Sequence, residues 1–390
     1  MTILNIPYFT GGLSHMLPLL ALNNKYNTSM NSYFLAHNDL QNFLKRKGVS
    51  CVPIDYFGDK TKHLKNRKQA IEYVMKKEKE AYEKIKPTLI IEDCSLTSPL
   101  IAEKNNVPRI SIQRTGFFRS IDKSYRNPNH LHSMEKADSV QPSFAESSKT
   151  ASRLLQNSKF DDQNNFSVYK SAKAKIIPGI PSLECLPDNI ENRPSYFYSG
   201  PLFIKNKPSK NLLIRLGIFF ELNKGKPIVF VTTGTVDKTP VEKYIEYFAE
   251  RNYAIITTND CKISEQYKHN VFYNKLLPLN YICKISDLVI HQCGSGIYHY
   301  PLITKTAFLT IGTQCYDRED IAQRLQKLGV SGHIPHPDDN PNYWNIFKKL
   351  MNKFEKNTLT DYNMMDRLKN EIDKTMANFR MEEVIKFVLA

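Results

Sequence analysis

The sequence has no C-x-x-C pair, no apolar run long enough to cross a bilayer, and none of the common glycine-rich nucleotide signatures. Each absence removes a class. The 7 cysteines (Cys51, Cys94, Cys185, Cys261, Cys283, Cys293 and Cys315) are odd in number and widely spaced. That argues against a disulfide framework and a zinc ribbon, and for reduced thiols in a cytosolic setting. With no stretch near the roughly 20 apolar residues that a span needs, no transmembrane helix is expected, and a peripheral membrane contact stays open. Residues Met1 to Phe9 carry neither a basic region nor a signal-length apolar core, so a cytoplasmic location is expected. No G-x-x-x-x-G-K-[ST] loop, no G-x-G-x-x-G with its acidic ribose partner and no G-x-S-x-G elbow are present. These gaps argue against P-loop ATPases, dinucleotide-dependent dehydrogenases and serine hydrolases of the α/β type. Zinc fingers, an RNP-like aromatic run and a basic zipper are missing too, and no nucleic acid is expected as a partner.

What is present describes a folded, basic, two-domain chain. Its 390 residues suffice for two domains of ordinary size. Hydrophobic residues at 41% and charged residues at 24% give a globular balance rather than a disordered one. The formal charge of +15 suits a phosphorylated small molecule, an acidic membrane surface or nucleic acid. The lysines are spread through the chain, which is weaker evidence for a nucleic-acid groove than a stripe would be.

Apolar runs alternate with helical patterns. Strands are expected over residues 2–9, 30–36, 49–54, 88–93, 109–113 and 174–178, with helices near 14–22, 38–46, 66–84 and 96–105. A second series follows, with strands at 227–235, 253–257, 271–274, 288–291 and 308–312 and helices at 238–249, 296–304, 317–327 and 361–387. Strands alternating with helices indicate mainly parallel sheets. Residues 120–165 are polar with scattered apolar anchors; a disordered lid, an acceptor-binding insertion and a peripheral helical pair remain open readings. The polar, proline-bearing stretch Lys205-Asn-Lys-Pro-Ser-Lys-Asn211 reads as a linker.

Two loops carry chemistry. Gly11-Gly-Leu-Ser-His-Met-Leu-Pro18 follows the first strand. Its His15 is either a polar helix-start residue or a general base, because a neutral imidazole between strand and helix can take a proton from an attacking hydroxyl. Asp93 ends a strand on the same sheet edge. It either fixes the tautomer of that imidazole or caps the next helix, with Ser95 as a competing cap. Glu92 points to the opposite side and is the weaker candidate. His37 and the pair His130 and His132 lack the neighbours of a zinc site. In the second half, Thr232-Thr-Gly-Thr235 closes a very apolar strand, and Gly234 permits a tight turn. Val289-Ile-His-Gln-Cys-Gly-Ser-Gly296 joins another strand to a glycine turn. His291, Gly294, Ser295 and Gly296 there can bring an imidazole and free N–H groups to a phosphate; a satisfied structural histidine is the competing reading.

Together these residues resemble the GT-B-fold nucleotide-sugar glycosyltransferases of the natural-product type, the UDP-glucuronosyltransferase-like family. His291-Gln-Cys-Gly-Ser-Gly296 is similar to the family's H-x-G-G-x-G donor loop, and His15-Met-Leu-Pro18 to its H-x-x-P acceptor-base motif. Tyr198-Ser-Gly-Pro-Leu202 resembles its G-P-L entry to the linker, and Leu277-Pro278 its nucleobase segment. The resemblance implies two facing Rossmann-like α/β domains with an interdomain cleft: 1–202 binding acceptor, a linker over 203–225, 226–365 binding the nucleotide sugar, and 366–390 returning as a helix to the first domain. It implies an inverting transferase acting on a hydroxyl of a small molecule, with a UDP- or TDP-sugar as co-substrate, no tightly bound cofactor and no metal. His15 would be the base and Asp93 its assistant. Thr232, Gly234, Thr235, Leu277, His291, Gly294, Ser295 and Gly296 would hold the donor. Two departures stand out. His299 occupies the place of the ribose-binding Glu, and Asp317-Arg318 that of the sugar-gripping D-Q pair, which puts the donor's identity in question. Alternatives are an auxiliary transferase-like protein that activates a partner enzyme, and an enzyme acting on a lipid or cell-envelope acceptor. The chain is expected as a monomer or homodimer.

Overall fold

A computed structural model of the chain describes residues 1–8, 13–25, 30–54, 67–118, 171–204, 207–233 and 241–390. The expectations for 120–165 and for Gly11, Gly12, Gly234 and Thr235 lie outside these residues. The described chain divides into two compact units, one running to Ile204 and regained by Lys374–Ala390, the other spanning Lys205–Asp373.

The first unit is built on strands β1 (Thr2–Pro7), β2 (Asn31–His37), β3 (Ser50–Ile54), β4 (Leu89–Asp93), β5 (Arg109–Ile112), β6 (Ala174–Ile177) and β7 (Tyr196–Tyr198). They form one seven-stranded sheet in the order β3-β2-β1-β4-β5-β6-β7, and every neighbouring pair is parallel. Helices α1 (Leu13–Asn23), α2 (Asn38–Arg46), α3 (Arg67–Ile85) and α4 (Ser98–Lys104) cross between strands. Successive strand residues serve opposite faces. Leu89 and Ile91 pack with Met16 and Leu19 of α1, whereas Ile90 packs with Val74 of α3 and Leu100 of α4. A parallel sheet covered on both faces needs such near-continuous apolar strands.

The second unit repeats the plan. Its strands are β8 (Ile228–Thr232), β9 (Ala254–Thr257), β10 (Val271–Tyr273), β11 (Leu288–His291), β12 (Ala307–Ile311) and β13 (Gly332–Ile334), ordered β10-β9-β8-β11-β12-β13. All five pairings are parallel. Its helices are α5 (Lys210–Leu222), α6 (Glu242–Glu250), α7 (Leu279–Ile285), α8 (His299–Thr304), α9 (Tyr316–Lys327), α10 (Tyr343–Glu355) and α11 (Tyr362–Asn378), the last belonging to it as far as Asp373. Each sheet reverses its strand order once, between β1 and β4 and between β8 and β11. At such a switch point the loops leave in opposite directions and open a crevice at the carboxyl ends of the strands.

Three expectations are corrected. The segment read as a linker over 203–225 holds α5: the Ser209 hydroxyl caps it by accepting the Leu212 N–H, and Leu212, Leu216 and Phe219 bury its inner side. The helix expected over 361–387 is two helices, α11 and α12 (Met381–Leu389), separated at Phe379 and the extended Arg380. The buried stripe of α11 (Met365, Leu368, Ile372) and that of α12 (Met381, Val384, Ile385, Val388) would face roughly 180° apart on one continuous helix at 3.6 residues per turn. The break re-aims the second stripe, which packs on Ile3, Leu22 and Ile176 of the first unit. Finally, the helix expected from 296 starts only at His299, after a turn over residues 295–298.

Candidate active site

Some of the sequence candidates lie at the switch point of a sheet, Asp93 and His15 in the first unit and Thr232 and His291 in the second. In the first unit, Asp93 is the last residue of β4 and is fully buried. It has the parity of Leu89 and Ile91, so it faces α1, where His15 sits in the first turn. His15 Nδ1 lies 3.0 Å from Asp93 Oδ1. A carboxylate can only accept, so Nδ1 carries the proton and Nε2 is left as the basic nitrogen. Nε2 has no partner among the described residues, the imidazole is 20% exposed, and the Tyr8 ring tilts against it at 5.4 Å between centroids.

A residue that the sequence reading passed over completes this group. Arg114, just past β5, grips both Asp93 oxygens at 2.6 and 2.9 Å. Burial alone would raise the Asp93 pKa, but the Arg114 guanidinium and then His15 outweigh it and hold the carboxyl well below the usual range. The signal was available in principle, since β5 is the strand beside β4 and its end collects on the same edge. Glu92, of opposite parity, is spent elsewhere: Arg109 donates to it at 2.5 Å and the Ser95 N–H at 2.9 Å. His15, Asp93 and Cys94 each offer a ligand atom within 4.8 Å of the others. The guanidinium clamped on Asp93 sets a fixed positive charge where a metal ion would have to bind, so the cluster is not built as a metal centre.

In the second unit His291 ends β11 and is fully buried, its ring stacked on Phe308 at 5.4 Å and 18°. The Cys293 N–H donates to its Nδ1 at 2.9 Å. Cys293 has φ 58°, a left-handed turn uncommon outside glycine that aims this N–H back at the ring. Nε2 is therefore the protonated nitrogen, and it has no partner among the described residues. Burial pushes the His291 pKa down to about 3, so the group is a neutral donor at physiological pH. The turn then closes through the Ile297 and Tyr298 N–H groups on the Gly294 carbonyl, while the Gly296 N–H has no partner among the described residues. A Cβ at Gly296 would meet open space, and one at Gly294 would lie 3.4 Å from Gln292 Nε2 and 3.9 Å from Arg318 Nε. Arg318, from the first turn of α9, thus lies against the glycine turn.

The remaining candidates are placed less directly. Thr232 ends β8 with its hydroxyl against Thr258, and Asn259 holds Thr233 through both its N–H and its hydroxyl. Ser295 and Leu277 are half-buried. Asp317 is half-buried in the first turn of α9, with no partner among the described residues. His299 is withdrawn rather than presented. It is 2% exposed, its ring lies against Tyr298 at 3.7 Å, and burial brings its pKa down to about 3. Its late position, at the start of α8 behind the turn, explains the burial.

No model of a known protein family matches the chain, and neither does any curated protein. Its fold, however, is shared. Two parallel α/β sheets of this order are those of the GT-B fold, which the similar solved glycosyltransferases have. Similar solved structures include the glycotransferase of kitacinnamycin, with TM-score 0.71 and 13% identity over 100% of this chain and 98% of that one. The spinosyn forosaminyltransferase SpnP aligns with TM-score 0.67 and 14% identity over 100% of both chains. The spinosyn rhamnosyltransferase SpnG, complexed with thymidine diphosphate, aligns with TM-score 0.65 and 13% identity over 98% of this chain and 100% of its own.

Proposed function

We propose that the protein is an inverting glycosyltransferase that moves a sugar from a nucleoside diphosphate donor to a hydroxyl of a small-molecule natural product. The observation that carries this reading is the His15–Asp93–Arg114 group at the first sheet's switch point. Arg114 keeps Asp93 ionised, Asp93 holds the His15 Nδ1–H, and the partly exposed imidazole offers Nε2 to an acceptor. In the reaction His15 takes the hydroxyl proton as the oxygen forms its bond to the anomeric carbon. The carbon–oxygen bond to the diphosphate breaks, and its electron pair leaves with the phosphate. Attack opposite the leaving group inverts the anomeric centre.

The second unit supplies the counterpart. The neutral His291 Nε2–H and the Gly296 N–H are donors suited to diphosphate oxygens, acting as oriented dipoles rather than as a formal charge. Because α8 is short and begins at His299, these turn N–H groups, rather than a helix dipole, carry the anion-binding role. Arg318, beside Gly294, adds positive charge to that turn. Thymidine diphosphate is the first nucleotide to try, since SpnG carries it; the uridine form is the second.

The test measures nucleotide release and product formation with TDP- and UDP-sugars and hydroxylated acceptors. His15→Ala is expected to lower turnover by about 10²–10⁴-fold while nucleoside diphosphate affinity, read by calorimetry, stays within a few-fold. The product's anomeric coupling by NMR should be opposite to the donor's. Equal turnover in His15→Ala removes the base; a retained configuration removes the single-displacement step.

A further inference from the structure

Helix α5 is apolar on two sides, and only one of them is used inside the fold. Leu212, Leu216 and Phe219 are buried. On the outside, Ile214, Ile218 and Leu222 stand one above the other at i, i+4 and i+8 and are 64%, 60% and 67% exposed. Leu213 flanks them at 40%. A helix that is apolar all round is ordinarily covered all round, and a surface helix ordinarily turns a charged face to water.

The surroundings of this stripe are basic. Lys210 heads the same column, one turn before Ile214. Lys207 precedes the helix, Lys224 follows it, and all three lysines are exposed. Arg215 lies beside the column, its guanidinium at the rim and held there by Asn274 and the Tyr273 carbonyl. Against these four cations the segment 207–224 has one carboxylate, Glu221.

We propose that this face of α5 docks on an anionic lipid surface. The aliphatic column carries no polar atom that must be satisfied, so it can sink among acyl chains, while the lysines reach headgroup phosphates along their own methylene stems. A second copy of the chain is a poor occupant, because a two-fold contact would set the same cations against themselves. A protein partner would be expected to find aromatic anchors, and the outward column has none.

The test is flotation of the purified chain with vesicles of pure phosphatidylcholine and of phosphatidylcholine with about one-third phosphatidylglycerol. Binding should be about tenfold or more stronger on the anionic vesicles and should fall in high salt. Ile214→Ser/Ile218→Ser should weaken it about tenfold with unchanged melting, since both side chains are already in water. Lys210→Glu/Lys224→Glu should remove the preference for anionic vesicles. No binding to either vesicle, or binding unaltered in both variants, overturns the proposal. So does a wild-type dimer in sedimentation that Ile218→Ser dissociates, which would assign the face to a second copy. The readout needs no glycosyl transfer, so it stands or falls apart from the proposed reaction.

Discussion

Asp93 is a charge in the interior, and its value to the protein depends on Arg114. Replacing it by Asn keeps the shape but takes away the carboxylate that grips the buried guanidinium at two points. Asp93→Asn is therefore expected to cost about 3–5 kcal/mol in urea unfolding as well as activity. Adding Arg114→Met should return much of the stability and none of the activity, which separates the two roles. Glu78 tells the opposite story. It is buried on the other face of the first sheet, accepting the Thr97 hydroxyl at 2.5 Å, and its second oxygen has no partner among the described residues. Burial raises its pKa from 4.5 to about 7. Between those values the folded state keeps a proton that the unfolded state has lost, so stability falls as pH rises through this window. Glu78→Gln should flatten that slope and make the protein more stable at pH 8 by on the order of 3 kcal/mol, measured by urea unfolding across pH 4 to 9. At this scale the sequence was legible by type and parity: Asp93 over Glu92 follows from alternation alone. Arg114 was legible only as a residue at the right sheet edge, because nothing local says that a strand-end arginine will reach the neighbouring strand.

Helix α12 shows what an element contributes when it returns from the far end of the chain. Its four buried side chains, Met381, Val384, Ile385 and Val388, fill the face that α1 and α2 share. At roughly 1.5–3 kcal/mol each, they supply a gross 6–12 kcal/mol before ordering costs, about as much as a whole domain's net stability. Removing residues 381–390 should therefore unfold the first unit, seen as loss of its cooperative melting transition. Gly200 makes a smaller test. Its φ is +67°, and a Cβ there would sit 2.5 Å from Met376 Cγ. Gly200→Ala should destabilise by about 1–3 kcal/mol through backbone strain and crowding together. The strands were readable as elements because parallel strands buried on both faces are short apolar runs. Helix α5 was hidden by the proline and lysines before it, although Ser209 supplies an ordinary cap signal. The break at Arg380 was hidden because it follows from where two stripes must point, not from a glycine or proline.

Across the whole molecule, two sheets of similar topology carry two different groups, an imidazole held by a carboxylate in one and a neutral imidazole beside a glycine turn in the other. If the second set binds a nucleoside diphosphate, ligand at about a hundredfold its Kd should stabilise the protein by about 2.7 kcal/mol, read as a rise in melting temperature that is absent with the free nucleoside. A Gly296→Val change, which crowds the open side of the turn, should abolish that rise while leaving the unliganded melting nearly unchanged.

The alternation of strand and helix, the parallel class of both sheets, and the residue types that end β4 and β11 can all be read from the chain alone. These follow from period, capping and burial, which act over a few residues. Packing in three dimensions set the rest: His15 meets Asp93 78 residues away, Arg114 grips the same carboxylate, burial keeps His291 neutral and His299 withdrawn, and α5 keeps an apolar face in water. Those outcomes depend on which elements become neighbours and on how much water is left between them, and neither is written in any local stretch of chain.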